Sequence, residues 1–155
     1  MRKDRLLSAL ERFEGFAARR ELEGVGIDAD EITIAAGYGR RIIRVRKGWY
    51  ARPDEPREVL RAWRVGGRLT CVSALAYRQD DYASEPVLHV EVSANTARLR
   101  DPDNARRRLR PEAPVVVHWV QRPGPGDRRA VTAEFALEVA ARCGTRGTGV
   151  PREHR

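Results

Sequence analysis

The feature that most constrains the fold is a succession of short helical segments, divided by glycines, at the start of the chain. Residues 4–13 have the apolar spacing of an amphipathic helix, and Gly15 follows in the position that favours a left-handed cap. A second short helix is predicted over residues 18–23. Asp28 has the character of an N-cap, and Glu31, three residues later, completes an approximate capping box for a third helix.

A β-hairpin is predicted directly after the third helix. Bulky and basic residues roughly alternate over residues 41–45, residues 46–48 favour a turn, and residues 49–51 favour a returning strand. Three short helices followed by a hairpin are typical of a winged helix-turn-helix. Pro53 marks the end of this unit, so the predicted winged-helix domain covers residues 1–53.

The remainder of the chain predicts a small mixed α/β domain over residues 54–143, which makes the fold class α+β. The tail, residues 144–155, lacks apolar content and is predicted to be disordered. In the second domain we predict helices over residues 57–65 and 70–77, strands over 87–92 and 115–120, and a last helix over 131–142 with Thr132 as its N-cap.

Each predicted domain has its own apolar cluster. Trp49 and Tyr50, on the returning strand, are expected to pack in the first core rather than to stack on bases. The first cluster is predicted to contain Leu6, Leu10, Phe13, Leu22, Ile34 and Val45. The second is predicted to contain Leu60, Leu75, Val90, Val116 and Leu137.

The charge of the chain points to a polyanionic partner. It has 30 Lys plus Arg against 22 Asp plus Glu, a formal net charge of +8, and Lys3 and Lys47 are its only lysines. The planar guanidinium pairs with phosphate and with guanine edges in a way that lysine does not, so nucleic acid is the first expectation. The alternative is a soluble protein whose arginine-rich surface reflects the codon bias of a GC-rich genome.

Membrane and secreted classes are not expected. No apolar run approaches the roughly 20 residues that a membrane-spanning helix needs. Glu11 and Glu14 interrupt the apolar stretch near the N-terminus, which argues against a secretory signal. Two cysteines, Cys71 and Cys143, are too few for a disulfide framework, so a reduced, cytoplasmic location is expected.

The order of these motifs resembles a known family. The run GFAARRELEGVGI, a helix, and then GRRIIRVRKGWYA is similar to the N-terminal winged helix of AbiEi-type antitoxins and related regulators. The segment GGRLTCVSALA, residues 66–76, resembles the glycine-initiated stretch that leads to a serine-alanine helix in that family. Residues 89–92 and 115–118 are similar to its later strands, so the resemblance runs from about residue 5 to residue 142.

The resemblance implies a DNA-binding regulator, with two departures from the family pattern. Longer members carry a C-terminal nuclease-like domain, and this chain ends before one would fit, so we expect the short form of the family. The third helix, DADEITIAAGYG, is less basic than a typical recognition helix. This difference moves the expected DNA contact from the helix towards the hairpin.

The candidate DNA-contact residues lie in and beside the hairpin. Residues 32–53 contain six basic residues and no acid, the asymmetry that a hairpin lying along phosphates requires. The alternative is a solvated hairpin edge, where charge prevents strand-to-strand aggregation. The predicted backbone contacts are Arg44, Arg46 and Lys47 on the hairpin, Arg40 and Arg41 at the groove edge, and Arg19 and Arg20 on the second helix, whereas the predicted base contacts are Thr33 and Tyr38.

Residues 98–110 form a second concentration of positive charge. They suit a second nucleic-acid contact or a mobile loop equally well, and a docking surface for an acidic partner is a further alternative. The arginines concerned are Arg98, Arg100, Arg106, Arg107, Arg108 and Arg110.

Catalysis is not indicated. His89 and His118 lie on two predicted strands whose alternation favours one shared face, but no cysteine or carboxylate completes a metal set, so no metal or cofactor is predicted. Ser73 lacks the flanking glycines of a nucleophile elbow. A restriction-type nuclease pairs acids with a nearby lysine, and neither Lys3 nor Lys47 follows an acid by two residues.

These observations predict a transcriptional repressor that binds double-stranded DNA sequence-specifically and uses no cofactor. It is expected to occlude a promoter, and the first candidate is the promoter of its own operon. An antitoxin-like autoregulator and a phage-type immunity repressor both fit this description. The other class is a protein-interaction antitoxin that neutralises a toxin, with DNA binding secondary. In either case the second domain supplies a second DNA contact, a dimer interface or a partner surface, and the oligomeric state stays open.

Overall fold

The computed structural model describes residues 4–38, 40–79 and 86–143. The chain divides into two compact units between Pro56 and Arg57, and each unit contains helices and strands. The expected α+β class is therefore confirmed. No helix among the described residues is long and apolar enough to cross a membrane, and the tail predicted over residues 144–155 lies outside the described residues.

The first unit contains three short helices, and the side chain of an aspartate caps the first and the third of them. Helix α1 covers Arg5–Arg12, and the Asp4 carboxylate caps it by accepting hydrogen bonds from the Leu6 and Leu7 amides at 3.0 and 3.2 Å. Gly15 follows with a positive φ of 91°, as predicted. Helices α2 and α3 cover Arg19–Gly24 and Ala29–Ala36.

The capping box predicted for α3 is incomplete. Asp28 caps α3 by accepting a hydrogen bond from the Asp30 amide at 2.7 Å, but among the described residues Glu31 makes no reciprocal bond. The reciprocal bond occurs instead at α2, where Glu21 Oε1 accepts from the Ala18 amide at 2.9 Å. The expectation for Glu31 was therefore wrong.

A three-stranded antiparallel sheet completes the first unit. Strand β1, Phe16–Ala18, lies between α1 and α2, and β2 and β3 cover Ile43–Arg46 and Trp49–Ala51. The strand order is β1-β3-β2, so β3 pairs with both of the others. Sequence patterning predicted the hairpin but missed β1, because its three residues are all buried and show no alternation.

The core of the first unit follows most of the prediction. Leu6, Leu10, Leu22 and Val45 are fully buried, and Phe13 is half-buried. Of the two aromatic residues on the returning strand, Tyr50 is buried as expected, but Trp49 is only half-buried. Ile34, in contrast, is 56% exposed. Helix α3 buries Ile32 and Ala35, and Ile34 lies two residues after Ile32, which turns its side chain to the opposite side of the helix.

The second unit contains three helices and five strands among the described residues. They are α4 (Arg57–Val65), β4 (Arg68–Leu69), α5 (Cys71–Arg78), β5 (Leu88–Ser93), β6 (Arg100–Asp101), β7 (Asn104–Arg108), β8 (Val115–Val120) and α6 (Ala133–Cys143). Three of the strands form a sheet in which the central strand β5 pairs antiparallel with β4 and parallel with β8. The other two, β6 and β7, form a separate hairpin.

The register of β5 and β8 places the two strand histidines on one face. His89 lies opposite Val116, and Glu91 lies opposite His118, so these four side chains share a face of the sheet. The prediction of a shared face for His89 and His118 is therefore confirmed. Helices α5 and α6 pack on each other, and α5 also packs on β5.

One residue that was predicted to lie in the core of the second unit is exposed instead. Leu60, Leu75, Val90 and Val116 are buried as predicted, and the Thr132 hydroxyl caps α6 by accepting from the Phe135 amide at 3.2 Å. Leu137 is 47% exposed. Helix α6 buries Ala136 and Cys143, which are seven residues apart on one face, and Leu137 falls beside that face.

Candidate DNA-contact surface and a buried histidine-cysteine cluster

The predicted contact residues of the first hairpin, residues 43–51, lie mostly in solvent. Arg44 and Lys47 are exposed, and Arg46 is half-buried. Arg44 pairs with Tyr50 across the hairpin and Arg46 with Trp49, with an irregularity between the two pairs. Gly48, at a φ of +80°, allows the tight turn that presents Lys47 at the tip.

Helix α3 and the residues that follow it expose both predicted base-contact side chains. Thr33 is exposed, and Tyr38, just beyond the end of the helix, is 96% exposed. Asp30 and Ile34 are exposed on the same helix. The accessible surface therefore combines a hydroxyl, an aliphatic group and a phenol, with an acidic first turn.

Arg19 holds α3 against the first hairpin. One of its terminal nitrogens donates to the Tyr50 hydroxyl at 2.8 Å and to Thr33 Oγ1 at 3.3 Å, while the other donates to the Ala29 carbonyl at 3.3 Å. Its backbone amide donates to the Gly48 carbonyl at 2.9 Å. Arg19 thus connects the hairpin with α3, whereas the sequence predicted a contact with the DNA backbone for it.

The other predicted cations beside the hairpin differ in their partners. Arg20 and Arg40 are exposed, and Arg40 has a φ of 46°, an uncommon value for a residue with a side chain. Arg41 forms an ion pair with Asp4, the N-cap residue of α1, and its Nε also donates to that carboxylate at 3.1 Å. Arg41 therefore already has an anionic partner within the first unit.

Residues 100–108 form a second hairpin, β6–β7, with an irregularity in register between Arg100 and Asp101, and so are not a loop without strands. Arg61 of α4 contacts the turn through Asp103 at 3.0 Å, and Arg64 donates to the Pro102 carbonyl at 3.2 Å. These contacts attach the second hairpin to α4. Its exposed arginines are Arg106, Arg107 and Arg108, with Arg98 and Arg110 exposed on either side and Arg100 half-buried.

A cluster of four metal-ligating side chains lies in the interior of the second unit. Cys71, at the start of α5, and Cys143, at the end of α6, meet His89 and His118 on the sheet. His89 Nδ1 lies 2.9 Å from His118 Nε2, and Cys143 Sγ lies 3.9 and 3.8 Å from these two nitrogens. All four ligand atoms lie within 4.8 Å of one another, and all four residues are buried.

The surroundings of the cluster hold its groups in place. The His89 amide donates to Ser73 Oγ at 2.8 Å, and its carbonyl accepts from the Thr70 amide at 3.1 Å. Burial lowers the pKa of His89 to about 4, so its imidazole is neutral near pH 7. Cys71 has a φ of 54°, in the left-handed region that side-chain-bearing residues rarely adopt.

The expectation that no cysteine completes a set with His89 and His118 is therefore wrong. Both cysteines of the chain are within reach of the two histidines. The error arose because the four residues show none of the short spacings of a metal-binding motif. The available signal was indirect, since Cys71 lies near the start of one predicted helix and Cys143 directly follows another, and each helix adjoins in sequence a strand that carries a histidine.

An acidic residue on the same sheet face is already paired. Glu91 Oε1 accepts from Arg68 Nε at 2.9 Å, and Oε2 accepts from the Gly124 amide at 3.2 Å. A cavity of about 330 Å³ is lined by Glu91, His118 and Phe135 among others. Because both carboxylate oxygens have partners, Glu91 stabilises the sheet edge beside the cluster and is not one of its donors.

No protein-family model and no curated protein matches this chain. Two chemically different features therefore carry the functional interpretation. One is the basic surface of the first unit, and the other is the buried cluster of the second unit.

Proposed function

We propose that the chain is a winged helix-turn-helix protein that binds double-stranded DNA and represses transcription. The observation that carries this proposal is the organisation of the first unit. Its elements follow the order helix, strand, helix, helix, hairpin, and its hairpin strand β3 pairs with β1. In helix-turn-helix proteins the second helix of the motif enters the major groove, and α3 is its counterpart here.

The charge distribution around the first hairpin supports this proposal. Arg40, Arg44 and Lys47 are exposed, and Arg46 is half-buried beside them. Residues 32–53 contain no acid. A hairpin with this composition suits the phosphate backbone, where each neutralised phosphate releases counterions.

Helix α3 suits base edges better than phosphates. Its acidic residues Asp30 and Glu31 disfavour phosphate at its first turn, whereas Thr33 and Tyr38 present groups that contact bases through hydrogen bonds and apolar surface. Arg19 fixes the position of Thr33 and of the hairpin residue Tyr50. In this proposal Arg19 therefore sets the spacing between base and backbone contacts.

The biological role follows the resemblance to AbiEi-type regulators. We infer that binding at its own promoter blocks transcription, as an antitoxin-like autoregulator or a phage-type immunity repressor does. The arginines of the second hairpin supply either a second DNA contact or a surface for an acidic partner such as a toxin. The first alternative requires DNA, whereas the second is a contact between proteins that does not.

The experiment is a binding titration of the full chain on a duplex of its own upstream region and on random duplex, repeated across a salt series. We expect tighter binding to the upstream duplex, with a logarithmic salt slope that reports several phosphate contacts. Equal affinity for both duplexes at moderate salt would exclude the repressor. Absence of any salt-sensitive binding would leave partner neutralisation as the function to examine.

A further inference from the structure

We propose that Cys71, His89, His118 and Cys143 bind one Zn²⁺ ion in a closed, tetrahedral structural site. Two sulfurs and two imidazole nitrogens are a common donor set for zinc in proteins. The four residues come from four different elements, the start of α5, the strands β5 and β8, and the end of α6. Chance proximity of a single pair would not bring all four ligand atoms together.

The distances between the donor atoms match the size of a zinc site. Zinc bonds of about 2.3 Å to sulfur and about 2.0–2.1 Å to nitrogen, in tetrahedral geometry, separate the donors by roughly 3.3–3.8 Å. The two nitrogens are 2.9 Å apart, and the Cys143 sulfur is 3.8 and 3.9 Å from them. The largest separation in the set is no more than 4.8 Å, so displacements of about an ångström produce tetrahedral coordination.

Charge balance favours a divalent cation at this position. Two thiolates and two neutral imidazoles carry a charge of −2, which Zn²⁺ cancels, and a neutral site is compatible with a buried environment. Cys71 lies at the N-terminus of α5, where the helix dipole stabilises negative charge on its sulfur. Glu91, the acid on the same sheet face, is paired with Arg68 and leaves this balance unchanged.

The donor set also discriminates among metals. Magnesium and calcium prefer oxygen ligands, whereas tetrahedral coordination by two sulfurs and two nitrogens is typical of zinc. Four protein donors leave no position for water or substrate, so the ion is structural and not catalytic. It would join α5 and α6 to two neighbouring strands, and its binding would contribute to the folding of the second unit.

The first test uses the full-length wild-type protein, purified without added metal or chelator. Elemental analysis is expected to give about one zinc ion per chain. Removal of the metal by a strong chelator should lower the melting temperature by about 10 °C or more, and zinc should restore it. Cobalt(II) added to the metal-free protein should produce the intense visible absorption of tetrahedral thiolate coordination.

Variants locate the site. Cys143→Ser and His118→Gln should each abolish stoichiometric zinc, while His154→Gln, which removes the third histidine of the chain, should retain it. Because ligand variants can unfold, the wild-type measurements decide the proposal. A metal-free wild type whose melting temperature responds neither to chelator nor to zinc would overturn it. A wild type found lighter by two hydrogen atoms, as a Cys71–Cys143 disulfide requires, would overturn it as well.

Discussion

The guanidinium of Arg19 donates a hydrogen bond to the Tyr50 hydroxyl at 2.8 Å and lies over the Tyr50 ring, 5.4 Å from its centre. The phenol is 4% exposed, so the pair lies at the edge of the core of the first unit. The same guanidinium contacts Ala29 and Thr33 of α3. One side chain therefore couples the central strand to the helix that carries the candidate base contacts.

The Arg19–Tyr50 pair should contribute measurably to stability. Tyr50→Phe keeps the ring and removes the acceptor, and we expect a loss of about 1 kcal/mol in the free energy of unfolding. Arg19→Ala should cost more, because it also removes the contacts to α3. Urea denaturation of the two single variants and the double variant measures the coupling. Strictly additive losses would show that the two side chains do not interact in solution.

The first hairpin should account for most of the salt dependence of DNA binding. Replacing Arg44, Arg46 and Lys47 by alanine should reduce the slope of log affinity against log salt by two to three units, at roughly 0.9 for each phosphate contact. Affinity should fall on specific and random DNA alike, because phosphates carry no sequence information. Melting curves should show that the variant stays folded.

A second triple variant provides the matched control for net charge. Replacing Arg106, Arg107 and Arg108 by alanine removes the same three positive charges from the second hairpin. We expect a smaller change in slope for this variant. Equal changes in both variants would indicate a general charge effect or contact by both hairpins, and an effect confined to the second hairpin would contradict the proposed contact surface.

Asp4 should stabilise the first unit both through its cap and through its charge. Asp4→Asn keeps a capping oxygen but removes the ion pair with Arg41, which is partly exposed, so the expected loss is below about 1 kcal/mol. Asp4→Ala removes both contributions and should cost about 1 kcal/mol more. Urea midpoints of wild type and both variants at pH 7 measure these differences.

The charge contribution of Asp4 has a defined pH dependence. Partial burial raises the pKa of Asp4, but the hydrogen bond from Arg41, the amides of Leu7 and Leu6 and the Arg41 charge together hold it below the ordinary value of 3.8. Stabilisation is therefore complete above the unfolded-state pKa and is lost as the pH falls through the lower folded-state pKa. The difference in the free energy of unfolding between wild type and Asp4→Asn should be constant down to about pH 5 and should then disappear as the pH falls further. A difference that persists in strong acid would exclude the charge of Asp4 as its source.

Gly67 should be intolerant of any side chain. A Cβ atom at this position would lie 1.7 Å from the Glu91 carbonyl oxygen, which belongs to the backbone of β5. Gly67→Ala must therefore displace β4 from β5, and we expect a loss of at least about 3 kcal/mol. Gly24→Ala is the control, because nothing lies within 4 Å of a Cβ there. Similar thermal midpoints for the two variants would refute this prediction.

Regular elements with a clear apolar period could be predicted from the sequence. Helix α4 and strand β8 have the predicted bounds, since their apolar residues repeat with helical and strand periods. Strand β1 could not be predicted, because three buried residues give no period. Ile34 and Leu137 were misplaced because apolar character does not state which side of a short helix faces the core.

The candidate sites differ in how far the sequence could predict them. Arg44 and Lys47 are both charged and exposed, so the local excess of basic residues was sufficient to predict the basic surface of the first hairpin. The partners of Arg19 and Arg41 depend on the packing of elements far apart in sequence. The same limit applies to the buried cluster, because only the parallel pairing of β5 with β8 and the packing of α6 bring its donors together.

Burial of the cluster determines what cysteine labelling of the native protein measures. Cys71 and Cys143 are 0% and 3% exposed, and they are the only cysteines of the chain. An alkylating reagent reaches such sulfurs only during local opening events. Since both sulfurs belong to the second unit, their labelling rate under native conditions measures local opening of that unit.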